Sequence, residues 1–171
     1  MNEMEYKIKV IGRVRVEGSD PKTAEFYLEI DKPYRSALKE LDQWSHLMVL
    51  FWAHEMDSEE YRNAEDWEVD VPYAEGAPKT GIFATRAEYR PNPILLTTSA
   101  IENVDIENGV IKIAGMDAID GTPIIDLKAY FPICDRVRDA HIAPWLEGWP
   151  ECLEDGTKWW EEQGFFEELM E

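Results

Sequence analysis

The chain has 171 residues, enough for one domain with a real hydrophobic core and room for a small appendage. It carries 36 acidic and 17 basic side chains, and the resulting net charge of −19 argues against a broad nucleic-acid-binding surface, because phosphate contacts need clustered lysines and arginines. Only a local basic patch is compatible with that balance.

Two further observations bear on the compartment of the protein. Residues 1–5 do not form a basic segment that leads into an apolar one, and no apolar run approaches the ~20 residues needed to cross a bilayer. The two cysteines, Cys134 and Cys152, are too few for a disulfide framework and lack the spacing of a metal site. We therefore expect a cytoplasmic protein with reduced thiols, no bound metal and no membrane span.

The first predicted elements are two strands. Residues 6–16 alternate between mainly apolar side chains on one face and mainly basic side chains on the other, which is the period of a half-buried strand. The GSDP sequence at residues 18–21 then supplies a turn. Phe26–Ile30 is predicted as a second, short strand.

A helix is predicted next. Asp31 and Pro33 have the character of a helix start. The apolar residues that follow recur every three or four positions: Tyr34, Ala37, Leu38, Leu41 and Trp44. This spacing predicts a short amphipathic helix whose apolar face packs against the core.

Residues 47–53 predict a strand that is apolar on both faces and is flanked by His46 and His54. Eight residues of extended chain at ~3.3 Å each separate the two histidines by roughly 26 Å, so they cannot share one metal ion. Each is interpreted first as a structural residue at a strand end, with a catalytic base as the alternative.

Two segments are strongly acidic. Residues 55–79 are predicted to form a long excursion with a short strand at Trp67–Val71, and a solvated surface is its first interpretation, with a substrate or partner lid as the alternative. In residues 136–171, acidic side chains are interleaved with Trp145, Trp149, Trp159, Trp160, Phe165 and Phe166. Thr157 is predicted to cap a terminal helix there. We expect this extension to pack back on the main domain, with a dimer contact or a substrate wall as alternatives.

The segment 81–94, GIFATRAEYRPNPI, begins as an apolar strand and becomes polar at Arg86 and Arg90. Its two prolines stiffen the backbone, and Asn92 precedes one of them, which favours an extended backbone and leaves the side-chain amide available. Two arginines and an asparagine in an acidic chain suit an anionic or carboxylate-bearing ligand. A merely solvated loop is the alternative.

Asn108-Gly109 is the strongest short signal for a β-hairpin in the chain. A two-residue loop predicts four cross-strand pairs: Glu107 with Val110, Ile106 with Ile111, Asp105 with Lys112, and Val104 with Ile113. This register places apolar pairs on one face and an opposite-charge pair on the other.

Three ordered blocks resemble the TsaA-like or TrmO family of S-adenosylmethionine-dependent tRNA methyltransferases. ATR at residues 84–86 with RPNPI at 90–94 is similar to the family's ATRSPxRPNPIGLS motif. WSHLMVLFWAH at 44–54 is similar to its FSHLWVLFWFH segment, and DGTPIIDLKAY at 120–130 to its DGTPxxDIKPY. Because the blocks cover most of residues 8–135, the chain is identified as a member of this family.

The resemblance implies a mainly β fold: a single antiparallel β-barrel over residues 1–135, with one or two covering helices and a short acidic helical tail over 136–171. It implies S-adenosylmethionine as the cofactor, in a pocket of the barrel loops. The family's cofactor positions carry over to His54, Arg86, Leu96, Asp120, Gly121, Thr122 and Pro123. Family analogy also implies a homodimer.

The same resemblance implies the chemistry. The acceptor in the family is the exocyclic nitrogen of threonylcarbamoyladenosine next to the tRNA anticodon. Methyl transfer is an in-line displacement, so the protein must mainly align the nucleophile, the methyl group and the sulfur. We expect Arg86 to pair with the methionyl carboxylate, and Arg90 and Asn92 to orient the acceptor.

Some positions depart from the family motifs. Glu88 adds negative charge where the family has proline, Leu95 replaces the glycine of RPNPIGLS, and Ala129 replaces the proline before Tyr130. Together with the net charge, these departures argue against tRNA as the substrate more strongly than they argue against S-adenosylmethionine as the cofactor. Two alternatives therefore stay open: methylation of a small-molecule or protein acceptor, and a non-catalytic S-adenosylmethionine-binding module that engages a basic partner.

Overall fold

The computed structural model describes residues 6–20, 22–74 and 76–163 of the chain. Its strands are β1 (Gly12–Glu17), β2 (Glu25–Ile30), β3 (His46–Trp52), β4 (Glu68–Val69), β5 (Thr80–Gly81), β6 (Ile94–Asp105), β7 (Val110–Ile113) and β8 (Pro123–Ala129). Its α-helices are α1 (Glu59–Arg62), α2 (Pro132–Asp135) and α3 (Leu153–Glu162). 3₁₀ helices span Lys32–Leu38, Leu41–Gln43, His54–Met56, Ile82–Ala84 and Pro144–Leu146. No helix in the described ranges is long and apolar enough to cross a membrane.

Six strands close into an antiparallel barrel in the order β1-β2-β7-β6-β3-β8. The strand β3 pairs along its whole length with β6, from His46 opposite Ala100 to Trp52 opposite Ile94, and on its other side with β8. The predicted fold class, a mainly β chain with a single antiparallel barrel, is confirmed.

The strand β3 shows how the sequence forms the barrel wall. Leu47, Val49 and Phe51 are buried and alternate with half-buried residues, which is the period of a strand with one face on a core. The other strands complete the core with side chains that are at most 1% exposed: Val14, Leu28, Ile111, Ile113 and Ile124. Burial of each such side chain favours the folded state by roughly 1.5–3 kcal/mol. The strands predicted at 6–16, 26–30 and 47–53 are confirmed, although the first begins only at Gly12.

The predicted helix over residues 31–44 is wrong in type. Two 3₁₀ helices occupy this segment, separated by Lys39 and by Glu40, whose φ of +68° lies in the left-handed region. The predicted apolar face is correct in part, because Leu38 is buried and Tyr34 and Leu41 pack against the core, whereas Ala37 is exposed. Apolar residues spaced by three and four positions fit both an α-helix and the three-residue turn of a 3₁₀ helix, so the pattern could not separate them.

The hairpin between β6 and β7 is present, but its predicted register is wrong. Asp105 pairs with Val110, and Val104 pairs with Ile111, so the loop has four residues instead of two. The Asp105 carboxylate accepts hydrogen bonds from the main-chain and side-chain nitrogens of Asn108, at 3.0 and 2.8 Å. The Asp105 carbonyl accepts the Gly109 N–H at 2.8 Å. The wider loop shifts the register by two residues, which leaves the same β7 side chains facing the core.

Other predicted elements differ in detail. The short strand expected at Trp67–Val71 is present as β4, whereas the apolar residues 82–84 form a 3₁₀ helix and not a strand. The helix α3 begins at Leu153 with Cys152 as its N-cap residue, so the predicted cap at Thr157 is wrong. Phe165 and Phe166 lie outside the described residues.

The described residues divide into two compact units. The first comprises those within Met1–Glu17, Glu25–Asp66 and Arg86–Arg136 and contains the barrel. The second comprises those within Gly18–Ala24, Trp67–Thr85 and Val137–Glu171. It contains the β4–β5 sheet, α3 and a cluster of four aromatic rings with centroid distances from 4.5 to 5.8 Å: Tyr73, Trp149, Trp159 and Trp160.

Candidate functional site

Three strand ends meet at one end of the barrel. Since β6 and β8 are antiparallel to β3, they begin where β3 ends, with Ile94 opposite Trp52 and Ile124 opposite Phe51. Three segments of the first unit therefore start or finish at this end: the 53–66 loop, the 86–93 loop and the 114–122 loop. We call this end of the barrel the loop end.

The 53–66 and 86–93 loops are tied together where they leave the barrel. The Ala53 N–H donates to the carbonyl oxygen of Pro93 at 2.8 Å, and Pro93 is fully buried. The proline ring cannot donate a hydrogen bond, but its carbonyl serves as the acceptor that continues the β3–β6 ladder by one step. This bond places His54, the next residue, beside the RPNP sequence.

Arg86 is fixed at the start of the 86–93 loop. Its Nη2 donates a hydrogen bond to the carbonyl oxygen of Leu96 on β6, and its side chain is otherwise exposed. Leu96 lies opposite Leu50 of β3, and its own side chain is 37% exposed. The arrangement sets a guanidinium group, with five N–H donors, next to an exposed apolar side chain.

Arg90 and Asn92 lie further along the same loop. Nη1 of the half-buried Arg90 donates to the carbonyl oxygen of Ala87 at 3.2 Å, which closes the loop on itself. The carbonyl oxygen of Asn92 accepts the Ile94 N–H at 2.7 Å, while its side chain is exposed, as predicted. Arg90 therefore supports the loop, and Asn92 presents its amide to solvent.

The turn at Asp120–Pro123 is bonded to β1. Oδ1 of Asp120 accepts the Val16 N–H at 2.9 Å, and the Gly121 N–H donates to the Val14 carbonyl at 2.8 Å. Gly121 has a φ of +81°, which lies in the left-handed region that favours glycine. Thr122 is buried, with 2% exposure. These hydrogen bonds join the turn that begins β8 to β1 and so help to close the barrel, a structural role that the sequence did not indicate.

A cluster that the sequence analysis missed anchors the 53–66 loop. Nε1 of Trp52 donates to Oδ2 of Asp57 at 2.9 Å, and Nε of Arg62 is paired with Oδ1 of the same carboxylate. The Arg62 guanidinium also lies over the Trp52 ring, 5.1 Å from its centroid. The hydrogen bond from Arg62 lowers the pKa of Asp57, and the hydrogen bond from Trp52 lowers it further. Partial burial of the carboxylate acts in the opposite direction, but the pKa remains lowered.

An aromatic contact joins two of the loops. The rings of Tyr61, in α1, and Tyr89, in the 86–93 loop, lie with centroids 5.3 Å apart and planes at 90°. Both side chains are half-buried. The edge of one ring meets the face of the other, the favoured geometry for two aromatic quadrupoles.

The 114–122 loop brings a carboxyl group towards the 86–93 loop. The Asp117 side chain is exposed to solvent on one side. Desolvation by nearby protein atoms nevertheless raises its pKa, and the Glu88 carboxylate raises it further. Its neighbours Met116 and Ala118 pack against the barrel core, which holds the loop in place. Sequence spacing gave no signal for this cross-loop pair.

The two histidines are at opposite ends of β3. His46 begins the strand, with Nδ1 2.9 Å from the Ser45 hydroxyl oxygen, and His54 follows its end, with Nε2 3.6 Å from a Glu55 carboxylate oxygen. Within the described ranges, no group of three or more His, Cys, Asp or Glu side chains is arranged to hold a metal ion.

The predicted site residues thus fall into two sets. The fold places His54, Arg86, Arg90, Asn92 and Leu96 on two loops and a strand that are bonded to one another. It places Asp120–Pro123 at the same end of the barrel, where the turn begins β8 and is bonded to β1.

Comparisons with known proteins identify relatives of this chain. The family profile described as tRNA-methyltransferase O N-terminal domain matches residues 15–136. The tRNA (adenine(37)-N6)-methyltransferase of Escherichia coli is 32% identical over 123 residues, covering 70% of this chain and 51% of that protein. A probable S-adenosyl-L-methionine-binding protein of Methanothermobacter thermautotrophicus is 32% identical over 147 residues, covering 80% and 98%. Six of the matched relatives are much longer than this chain, which spans between 20% and 51% of their lengths.

The solved structures agree with the sequence matches. The crystal structure of TrmO from Pseudomonas aeruginosa superposes with a TM-score of 0.63 at 27% identity, covering 95% of this chain and 74% of that one. The matched region of the family profile includes all three segments of the loop end.

Proposed function

Because the chain belongs to the tRNA-methyltransferase O family, we propose that it transfers a methyl group from S-adenosylmethionine to N6 of the adenine at position 37 of tRNA. The observation that carries this proposal is the placement of His54, Arg86, Asn92 and Leu96 on bonded segments at one end of the barrel. The catalytic domain in the proposal is residues 1–135, with 136–171 as an extension.

The donor set at the loop end fits this cofactor. The exposed guanidinium of Arg86 suits the methionyl carboxylate, since arginine forms charge-assisted and bidentate bonds with carboxylates. The exposed apolar face of Leu96 lies beside it, and His54 adds a half-buried ring. In the proposal the Asp120–Pro123 turn completes the pocket. When bound, the cofactor supplies a methyl group on a sulfonium sulfur that is open to in-line attack.

The residues of this chain then have two tasks. Arg86 holds the carboxylate end of the cofactor, and Asn92 and Arg90 orient the adenine so that N6 faces the methyl group. Alignment of this kind supplies much of the rate enhancement when two bound molecules react. The bond from Arg90 to the Ala87 carbonyl keeps Asn92 on a stiff loop, which favours a fixed orientation.

The charge distribution limits how RNA is bound. The first unit carries 22 acidic and 13 basic side chains, and the second, much smaller unit carries 14 and 4. Few phosphates can therefore be neutralised, and the salt dependence of RNA binding should be shallow. We infer that the barrel unit, where most of the basic side chains lie, contacts the RNA.

The test is transfer of labelled methyl from S-adenosylmethionine to tRNA isolated from cells, which carries its natural modifications. Wild-type protein, Arg86→Ala and the control Arg136→Ala are compared, since Arg136 is an exposed arginine outside the loop end. We expect label in tRNA with the wild type and the control, and a large loss with Arg86→Ala. Replacement of adenine 37 by guanine in the tRNA should abolish labelling. Wild-type protein that binds the cofactor but labels no tRNA would refute the proposal.

The acidic surface favours a second candidate, a cofactor-binding protein that acts on another acceptor or on none. Relatives whose names state only S-adenosyl-L-methionine binding are compatible with it. Label that appears only in a tRNA-free cell extract would favour a different acceptor. Cofactor that is bound but never consumed would favour a non-catalytic role.

Two further parts of the proposal concern the cellular context. A tRNA substrate implies a cytoplasmic protein in the compartment where tRNA is modified. The family resemblance implies a homodimer, and light scattering at several protein concentrations tests it.

A further inference from the structure

The Tyr61–Tyr89 pair forms a right-angled aromatic corner at the loop end. The two rings are perpendicular, with 5.3 Å between centroids, and both are half-buried, so part of each ring reaches the surface. Tyr89 lies between Arg86 and Arg90 in the chain, the two arginines of the proposed site. The corner is therefore next to the place where the acceptor is oriented.

The side of the corner formed by Tyr61 has a rigid support. The Ser58 hydroxyl caps α1 by accepting the main-chain N–H of Tyr61 itself, at 3.2 Å. The next residue, Arg62, is held by Asp57, which is in turn bonded to the Trp52 indole at the end of β3. A ring held in this way loses little conformational entropy when a ligand packs against it.

The side formed by Tyr89 is also stiff. The bond from Arg90 to the Ala87 carbonyl closes the loop around Tyr89, and Pro91 restricts the backbone two residues later. Glu88 stands on one side of Tyr89 and the exposed Glu59 and Glu60 stand just before Tyr61. Acidic groups so close to the corner disfavour a phosphate as its ligand.

An uncharged aromatic ligand fits the corner better. Stacking of a nucleobase on an aromatic side chain contributes ~1–3 kcal/mol and needs no neutralised phosphate. Sequence-specific RNA recognition commonly uses such stacking on unpaired bases in loops. For a protein with this net charge, stacking is a source of RNA affinity that the acidic surface does not weaken.

We propose that the Tyr61–Tyr89 corner binds an unpaired nucleobase of the RNA substrate, adjacent to the adenine that is methylated. The base stacks on one ring and meets the other edge to face. This inference rests on the proposed function, because it assigns part of the substrate to the same end of the barrel. Tyr61 and Tyr89 are positioning residues in it, since they hold the RNA and do not touch the reacting atoms.

The experiment compares Tyr61→Leu and Tyr89→Leu, which remove the aromatic face, with Tyr61→Phe and Tyr89→Phe, which keep it. Tyr27→Leu is the control, because Tyr27 is a tyrosine of β2 that contacts Arg15 on the outside of the barrel. Steady-state methyl transfer to tRNA, cofactor affinity by calorimetry and melting temperature are measured for each. A second readout is the fluorescence of an anticodon stem-loop with 2-aminopurine at position 38, which falls when that base stacks.

We expect the leucine variants to raise KM for tRNA by roughly 5- to 150-fold, the equivalent of ~1–3 kcal/mol of stacking. Cofactor affinity, kcat and the slope of log affinity against log salt should stay close to wild type, because no charged contact is lost. The phenylalanine variants and Tyr27→Leu should behave as wild type. Fluorescence quenching should persist with phenylalanine and disappear with leucine.

Other outcomes overturn the inference in separable ways. Leucine variants with wild-type KM and quenching would exclude stacking at this corner. Leucine variants that lose cofactor affinity and RNA affinity together would show that the tyrosine pair only maintains the loops. Wild-type protein that labels no tRNA and quenches no probe would overturn the proposed function and this inference with it.

Discussion

Nε1 of Trp52 donates a hydrogen bond to Oδ2 of Asp57 over 2.9 Å, across the turn that contains His54. The bond links the last residue of β3 to the start of the excursion that leads to Tyr61. With the Arg62 ion pair on the other carboxylate oxygen, one aspartate sets the path of this loop. Loops that carry functional residues are most useful when a rigid scaffold fixes them in this way.

Asp57→Asn should therefore destabilise the protein at neutral pH. The ion pair with Arg62 is about one-third exposed, so we expect a loss of about 0.5–1 kcal/mol in the free energy of unfolding. The folded-state pKa of Asp57 is lowered, so its stabilising effect is present above the unfolded pKa of ~3.9 and is lost as pH falls through the folded value. Urea unfolding at pH 7 and near pH 3 measures the difference, which should shrink at acid pH. Asp42→Asn, which changes an exposed aspartate outside the loop end, is the control, and an equal loss at both pH values would contradict the prediction.

Asp117→Asn should have the opposite effect. Desolvation by nearby protein atoms, and then the Glu88 carboxylate, raise the pKa of the partly exposed Asp117, so its charged form is disfavoured in the folded protein. A group whose pKa is raised on folding stabilises the folded protein fully at pH values below its unfolded pKa. This stabilisation is lost as the pH rises through the folded pKa. The variant avoids that loss, and its melting temperature should exceed that of wild type at neutral pH but not at acid pH. Glu88→Gln should move the melting temperature in the same direction by a smaller amount. A variant that melts lower than wild type at neutral pH would contradict the prediction and show that another contact stabilises the charged carboxylate.

Two glycines with similar backbone angles should respond differently to alanine. Gly109 and Gly121 have φ values of +73° and +81°, so an added Cβ costs roughly 1–2 kcal/mol at either position. At Gly109 the Cβ would also lie 2.6 Å from Nε of Arg35 and 2.7 Å from the carbonyl oxygen of Ile30, whereas at Gly121 it meets open space. Gly109→Ala should be the more destabilising variant in urea unfolding. Equal losses would mean that the β6–β7 hairpin relieves the overlap by moving.

The barrel was predicted through the family resemblance, and several of its strands were predicted separately because each carries a local signal along a single segment. The alternation in β1 and the apolar run in β3 are local properties of the sequence, and both predicted strands are present. The hairpin register was predicted incorrectly, because the Asp105 side chain bonds Asn108 and widens the loop. A turn dipeptide indicates where a hairpin reverses but not which side-chain bonds compete with the shortest loop.

The candidate site was only partly predictable, for a related reason. Arg86, Asn92 and His54 lie in contiguous motifs that a family resemblance identifies. Tyr61 and Tyr89 are 28 positions apart in the numbering, and neither lies at a motif position, so only the fold brings their rings together. The pKa of Asp117 is likewise raised by desolvation and then by Glu88, on a loop that precedes it by two strands, and both causes depend on the fold.

Arg86 provides the most direct test of the cofactor site. Loss of one charge-assisted hydrogen bond costs ~1.5–3 kcal/mol, so Arg86→Ala should weaken S-adenosylmethionine binding by roughly 10-fold or more in calorimetry. Arg86→Lys should fall between wild type and alanine, because lysine keeps the charge but not the bidentate geometry. Arg136→Ala should bind S-adenosylmethionine with the affinity of the wild type. This control separates the loss of a specific contact from the general effect of removing one positive side chain. Because Arg86 also donates to the Leu96 carbonyl, melting temperatures must accompany the titrations. Unchanged cofactor affinity in a folded Arg86→Ala protein would show that Arg86 does not bind the methionyl carboxylate. Arg90 would then be the next candidate for that contact.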